Sequence, residues 1–267
     1  MGHLESAYQS KIPDSKGIYH YTSEEDEVWG DLITRQNKIL DGRVCKEFIK
    51  GREILGLSAA QVPQLKEISE RLYEVTGFRV RSVPAVIPPR DFFNILANRE
   101  FPAATFIRLR EDFDYIKEPD VFHEIYGHCP MLTNSSFADY VQEYGKLALS
   151  VEKKYMWSLQ RLFWFTVEFG LIKTPLGERI YGAGLASSSG EAVYCTDSLA
   201  PTILDFDPLT IFRTNYRIDI FQPIYYVIDS FEQLFDTITS DLLPVIDEAK
   251  VLGNINPAPA APSENKH

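Results

Sequence analysis

Two of the chain's five histidines, His123 and His128, stand five residues apart in the run from Glu118 to Pro130; the other three lie at positions 3, 20 and 267. Any fold of this chain has to accommodate that pair. Pro119 suits a first helical position, Asp120 suits the first turn, and Gly127 and Pro130 are stop signals, so the run predicts a helix over about 119–126 with His128 just beyond it. On a regular helix residues five apart point about 140° away from each other. Both imidazoles can then face one ion only if the helix is interrupted, and Gly127 is placed to interrupt it. The pair misses by one residue the i, i+4 spacing of a zinc-peptidase helix, and we find no repeated Glu-x-x-His for a di-iron bundle.

A third ligand has to come from elsewhere. Glu168 stands out because it lies in Phe165-Thr166-Val167-Glu168-Phe169, where an unpaired buried carboxylate would be costly and a bound cation would remove the cost. Two neutral imidazoles and one carboxylate occupy one face of an octahedral ion and leave positions open for dioxygen and substrate, the arrangement of non-heme iron(II) oxygenases. Spacing alone leaves a second reading open, in which His123 and His128 are helix-end histidines and Glu168 pairs with Arg161 or Arg179.

The periodicities around this run predict a mainly α fold with a few short β-strands, an α+β chain. Ser23 as cap before Glu24, Glu25 and Asp26 predicts a helix over about 24–40. Pro63 followed by Leu65, Ile68, Leu72 and Val75 predicts a second, ended by Gly77. Alternation with three prolines over 78–89 suggests an edge strand or extended loop; a short helix after Arg90 and a strand over 104–109 follow. Residues 119–170 are apolar on all sides, notably from Trp157 to Val167, which implies burial all round. Ser230 and Gln233 form a capping box for a helix carrying Phe231, Leu234, Phe235, Ile238 and Leu242. With 45% hydrophobic residues there is apolar surface for one sizeable core. No linker or repeat divides the chain, so one catalytic domain is expected over 1–253, with 1–22 packing on it as an N-terminal extension and 254–267 a disordered tail.

The net charge of −11 disfavours attraction to nucleic acid or an anionic membrane, leaving small molecules as partners. Cys45, Cys129 and Cys195 form neither a disulfide framework nor a CxxC pair, which fits a reducing cytoplasm. The amino terminus lacks a leader pattern, and no run approaches the roughly 18 apolar residues of a membrane helix. A cytoplasmic monomer or small homo-oligomer is expected.

From about Arg79 to Asp229 the chain resembles the pterin-dependent aromatic amino acid hydroxylases, most closely their short bacterial phenylalanine-hydroxylating members. The resemblance runs through Arg90-Asp91-Phe92, Ile107-Arg108, Glu118-Pro119-Asp120, HEIYGH at 123–128, WFTVEFGL at 164–171, YGAGL at 181–185 and FQPIYYV at 221–227. It implies the family's single-domain catalytic fold with iron in a helix-lined cleft, held by His123, His128 and Glu168. On the substrate side it implies that Arg108 grips the amino acid carboxylate, as a guanidinium fork suits, that Pro119 and Trp164 wall the aromatic pocket, and that Ser187 contributes. For the pterin it implies Phe92 stacking on the ring, Val83 and Ile87 beside it, and Glu124 facing it. Asp120 and Ser187 are expected to orient a ligating imidazole, Asp120 having a helix N-terminal charge as its other reading.

The activity so implied is iron(II)- and tetrahydropterin-dependent conversion of L-phenylalanine to L-tyrosine with dioxygen. Phenylalanine is favoured over tryptophan by Trp164, where tryptophan hydroxylases typically carry phenylalanine, and over tyrosine by Ile218, where tyrosine hydroxylases typically carry aspartate. The alternatives are a tryptophan hydroxylase of the same family and a catalytically silent iron- or pterin-binding sensor. The chain departs from the animal enzymes at Ile116 (there threonine), Phe163 (tyrosine) and Pro102 (histidine). Its length is expected to leave out their regulatory domain and oligomerisation helix. Ser188 and Glu191 read as a capping box, which gives that acid a structural role.

Overall fold

The computed structural model describes residues 8–84, 87–116 and 118–257. Helices dominate, and the strands among the described residues form two small sheets, as the periodicities predict. The helix Ser23–Leu40 is capped by Thr22 instead of Ser23. The Thr22 hydroxyl accepts from the Glu25 N–H and the Glu25 carboxylate accepts from the Thr22 N–H, a complete capping box. It buries Val28, Trp29, Leu32, Ile33 and Leu40 in the core. The helix Leu65–Thr76 ends at Gly77 with φ +76°, a conformation that costs glycine little; Pro63 lies just before it. Between them Lys46–Ile54 is also helical, unanticipated because only Phe48 and Gly51 are buried and no side chain caps its start.

Strand β1 (Arg79–Ser82) pairs in parallel with β2 (Glu100–Ala103) across the helix Pro89–Ala97. The ladder thus ends where a strand over 104–109 was expected. Beyond Ala103 other partners take the backbone. The Thr105 N–H donates to Ser10 Oγ and its carbonyl accepts from Tyr21, while Phe106 O accepts from Val121 N–H and Arg108 N–H donates to Asp120. Residues 8–22 therefore lie against the wall of the site, with Tyr19 in the core; residues 1–7 fall outside the described residues. At the other end, Asn254–Pro257 are not a loose tail. Ile255 bridges Thr214, exchanging hydrogen bonds with Arg213 O and Asn215 N–H, and Asn254 accepts from Arg161. The rest of the expected tail, 258–267, lies outside the described residues.

The second sheet has the order β4–β3–β6–β5, with β3 (Leu171–Thr174) and β4 (Gly177–Ile180) an antiparallel hairpin and β5 (Thr202–Asp205) and β3 both parallel to β6 (Ile224–Ile228). All five residues of β6 are buried, as expected of a central parallel strand covered on both faces. Because β3 begins three residues after Glu168 and β6 two after Gln222, this sheet anchors two walls of the site. The final segment is two helices, Phe231–Thr239 and Leu243–Leu252, where one through Leu242 was expected. Ser230 caps the first by accepting from Gln233 N–H, and the Gln233 side chain returns to Asp229 N–H. Among the described residues no helix is long and apolar enough to cross a membrane.

Candidate metal centre and its two lobes

Phe122–His128 forms a π-helix, and this resolves the spacing problem in a way the sequence did not announce. Bonding from i to i+5 widens the turn so that residues five apart stack, placing His123 and His128 on one face without a break. Gly127 is helical, and its role is close approach. A Cβ there would sit 3.0 Å from Ala183 O and 3.3 Å from Ala183 Cβ, so any side chain would press on the short helix Ala183–Ser187, which lies against the π-helix. That helix delivers Ser187, whose hydroxyl lies 2.8 Å from His123 Nδ1.

The third residue arrives on a second π-helix. The expected apolar helix is regular over Met156–Phe163 and then widens over Trp164–Glu168. It is not buried all round, since Trp157 is half exposed. Gly182 packs under the end of this segment, where a Cβ would lie 2.4 Å from Glu168 O.

The three side chains converge. His123 Nε2 and His128 Nε2 are 3.1 Å apart, Glu168 Oε1 is 3.3 Å from His128 Nε2, and Glu168 Oε2 is 3.6 Å from His123 Nε2. All three ligand atoms fall within 4.8 Å of one another. Metal–nitrogen bonds of about 2.1 Å at right angles put two donors about 3 Å apart, so the donor set fits a transition metal on one octahedral face. The paired-arginine reading fails here. Arg161 donates to Phe212 O, Asn215 and Asn254, and Arg179 to Glu178 O.

Electrostatics favour a neutral His123 and an ionised Glu168. Burial pushes His123 down to about 4, against the opposing charge of Glu168, so its imidazole is neutral at pH 7. Burial alone would raise Glu168, but the His128 and His123 imidazoles outweigh it and hold the carboxyl below its ordinary range.

Two cavities meet at this face, sharing His123, Glu168, Pro119 and Trp164 as common wall. The first, about 300 Å³, is lined by Arg108, Ser187, Ile116 and Ile218. The second, about 350 Å³, is lined by Val83, Ile87, Phe92 and Glu124, together with Pro102 and Phe163. Every substrate-side residue named from the sequence lies on the first, every pterin-side residue on the second, and the three departures sit in one or the other.

In the first lobe Arg108 and Asp120 form a buried two-pronged ion pair, Nε to Oδ2 at 2.8 Å and Nη2 to Oδ1 at 2.9 Å. Burial would raise Asp120, but the Arg108 guanidinium outweighs it and holds the carboxyl low. Of five guanidinium N–H groups this pair uses two, so the Nη1/Nη2 edge keeps a fork to offer a carboxylate. Asp120 had two readings, as partner of a ligating imidazole and as a helix N-terminal acid, and its contacts fit the second. It accepts from the His123 backbone N–H at 3.0 Å, capping the π-helix, so one carboxylate fixes both Arg108 and the start of the metal-face helix.

In the second lobe Phe92 is held edge-on by Phe93 (5.5 Å, 74°) and Phe163 (5.5 Å, 79°). Glu124 faces this lobe, its carboxyl raised well above the usual carboxylate range by burial and then by the Glu168 and Asp120 charges, which favours the protonated form.

Sequence reasoning gave no role to Gln222 or Tyr216, and gave Glu191 only that of closing a capping box with Ser188. Tyr216 stacks on Trp164 (4.4 Å, 14°) and Gln222 Oε1 accepts from Trp164 Nε1 at 3.0 Å. Gln222 lay inside the FQPIYYV string, but a glutamine's partner on a distant helix leaves no local spacing to read. Ser188 does cap Glu191 N–H, yet the Glu191 carboxylate does not close the box. It accepts from Gln222 N–H at 2.7 Å and Tyr225 O–H at 2.8 Å.

A model of the biopterin-dependent aromatic amino acid hydroxylases matches residues 3–241. The phenylalanine-4-hydroxylase of Pseudomonas aeruginosa is 48% identical over 246 residues, covering 92% of this chain and 94% of that one. Among solved structures, the phenylalanine hydroxylase of Legionella pneumophila superposes with a TM-score of 0.90 at 49% identity, covering 92% of this chain and 98% of that one. That of Chromobacterium violaceum with bound Fe(III) superposes at 0.88 and 43% identity, covering 94% and 91%. Likeness of this degree over nearly the whole of each chain, in sequence and backbone alike, identifies the chain as a member of the biopterin-dependent aromatic amino acid hydroxylases.

Proposed function

We propose that this chain is an iron(II)- and tetrahydropterin-dependent monooxygenase that converts L-phenylalanine to L-tyrosine with dioxygen. The observation that carries the reading is the convergence of His123, His128 and Glu168 within 4.8 Å at the wall shared by two ligand-sized lobes. The Fe(III) in the Chromobacterium violaceum relative and the phenylalanine hydroxylase names of the relatives support it.

His123, His128 and Glu168 would hold the iron on one face, with Ser187 fixing the His123 ring through Nδ1. When bound, the iron and the pterin supply the activation of dioxygen that hydroxylates the ring. The chain's own work is placement. Arg108 offers its free edge to the amino acid carboxylate, and Asp120 keeps the guanidinium from turning away. Pro119 and Trp164 flank the aromatic ring and bring it beside the metal face, converting an encounter into a fixed approach. Phe92 offers an aromatic face to the pterin with Val83 and Ile87 beside it, and the Glu124 carboxyl, which burial biases toward its protonated form, faces the same lobe.

We further place the enzyme in the cytoplasm, as a monomer or small homo-oligomer, because its three cysteines are free and buried and its charge is strongly negative; light scattering of the purified protein checks the assembly. The activity is tested by incubating purified protein aerobically with iron(II) and tetrahydropterin and separating products from phenylalanine, tryptophan and tyrosine, with a chelator control. Tyrosine from phenylalanine, abolished by the chelator, is expected. Dominant 5-hydroxytryptophan would move the reading to the sister specificity, and no product despite bound iron would leave a silent sensor.

A further inference from the structure

Gln222 is 1% exposed, and every polar atom of its side chain is engaged. Its Oε1 accepts from Trp164 Nε1 at 3.0 Å, while its Nε2 donates to Arg217 O at 2.8 Å and Ile220 O at 3.1 Å. The amide can face only this way, because an indole N–H donates only and a carbonyl accepts only. Its backbone is fixed too, the N–H donating to Glu191.

What the amide joins gives it a role. Arg217, Ile218 and Asp219 are exposed and belong to no helix or strand, yet Ile218 and Ile220 line the first lobe together with Trp164. Just upstream, Tyr216 lies flat on the Trp164 ring. One buried side chain therefore ties this lip to the indole, and both border the lobe in which a substrate ring would sit.

We propose that Gln222 is a positioning residue that locks the Arg217–Ile220 lip to Trp164 and so sets the preference for a benzene-sized over an indole-sized side chain. This rests on the proposed function, since it concerns the specificity of that same site. Removing the amide releases both walls: the indole loses its acceptor and the lip loses two donors. A wider, less defined lobe costs the small ring its contacts and costs a large one little.

Gln222→Leu, Gln222→Glu, Trp164→Phe and the double variant Gln222→Leu/Trp164→Phe, each in the full chain, test this. Gln222→Leu is expected to cut the phenylalanine-to-tryptophan ratio of kcat/KM about tenfold, the scale on which apolar pockets discriminate, with the loss falling more on the phenylalanine KM than on kcat. The same change on the Trp164→Phe background, where the bond to the indole is already absent, is expected to cost less, because coupled partners are not additive. Gln222→Glu keeps an acceptor for the indole but turns a carboxylate oxygen toward two carbonyls. It is expected to lower discrimination at neutral pH and to recover part of it as the pH falls and the acid regains a donor; it also serves if the leucine variant fails to fold.

An independent reading comes from the indole N–H resonances of the ¹⁵N-labelled protein without iron or pterin. The Trp164 signal, assigned by its loss in Trp164→Phe, is expected to move in Gln222→Leu while that of Trp29 stays. An unchanged ratio with an unmoved Trp164 signal, or equal losses on both backgrounds, would overturn the proposal. If the wild-type protein hydroxylates no aromatic amino acid, the functional reading fails separately. Calorimetric affinities for phenylalanine and tryptophan then replace the kinetic ratio, and a preference unaltered by Gln222→Leu would overturn the lock.

Discussion

The two lobes that meet at the metal face are built by opposite means. The amino acid lobe is held by directional bonds between buried polar groups: Arg108 to Asp120, Gln222 to Trp164, and Glu191 to Gln222 and Tyr225. The pterin lobe is held by rings, Phe92 edge to face on Phe93 and Phe163, with Phe163 tilted against Tyr144 at 5.2 Å. A buried hydrogen bond cut on one side strands its partner without water, whereas a ring trimmed from a cluster leaves neighbours that can settle. The first lobe should therefore respond to substitution abruptly and the second by degrees.

Glu168 belongs to both lobes, so its loss should erase the distinction. Glu168→Ala is expected to abolish iron retention, measured by elemental analysis after gel filtration, and to lower kcat/KM on the order of a thousandfold, about 4 kcal/mol of transition-state stabilisation. Retained iron with near-normal turnover would remove Glu168 from the ligand set and the shared wall from the argument.

Within the amino acid lobe the largest effect is expected at Asp120, fully buried against Arg108. Asp120→Ala leaves a buried guanidinium unpaired and uncaps the π-helix, which should cost about 3–5 kcal/mol in denaturant unfolding, as for other broken buried ion pairs. The phenylalanine KM should rise with it because Arg108 is no longer held. A loss under 1 kcal/mol would mean that this lobe yields as gradually as the other.

Glu191 tests the same lobe through pH. Burial pushes its carboxyl up to about 7, above the 4.5 of an ordinary glutamate, so the folded state keeps a proton that the unfolded chain has released. The stabilisation is fully present below about pH 4.5 and is lost as pH rises through about 7, a total of roughly 3 kcal/mol. Glu191→Gln keeps an acceptor for Gln222 N–H and Tyr225 O–H but cannot ionise. The difference in unfolding free energy between wild type and variant should therefore drift against the wild type from pH 4.5 to 7 and then level off. A flat difference would place Glu191 among ordinary ionised acids.

The same contrast explains what could be read beforehand. The helices Ser23–Leu40 and Leu65–Thr76 were legible because apolar spacing and capping chemistry are local, and the cluster of His123, His128 and Glu168 could be proposed because rare residue types at fixed positions carry their own signal. The π-helical turn was not. The sequence posed the problem of histidines five apart, and a break at Gly127 was the simplest local answer, but the widened turn depends on packing against Ala183–Ser187 that no local period encodes. Gln222 and Tyr216 were missed for a like reason, each being defined by a partner on a distant segment, whereas the helix N-terminal reading of Asp120 rests on a residue three positions on and was legible. The strand expected over 104–109 failed because residues 8–22 and Asp120 occupy the hydrogen bonds that a ladder would have used.

The mildest test falls in the pterin lobe. Phe92→Leu removes an aromatic face but keeps most of the apolar volume, and Phe93, Phe163 and Tyr144 remain to close over it. Aromatic pairing contributes about 0.5–1.5 kcal/mol beyond area, so the tetrahydropterin KM is expected to rise roughly two- to tenfold while the phenylalanine KM and the thermal midpoint change little. Phe92→Ala should extend the same trend, with a larger pterin KM and a modest loss of stability, because a larger void is left in a cluster that can partly collapse. Steady-state kinetics with each substrate varied in turn separates the lobes. If Phe92→Leu raised the phenylalanine KM as much as the pterin KM, the two cavities would act as one site, and the division between a hydrogen-bonded lobe and an aromatic one would describe the walls without describing how they bind.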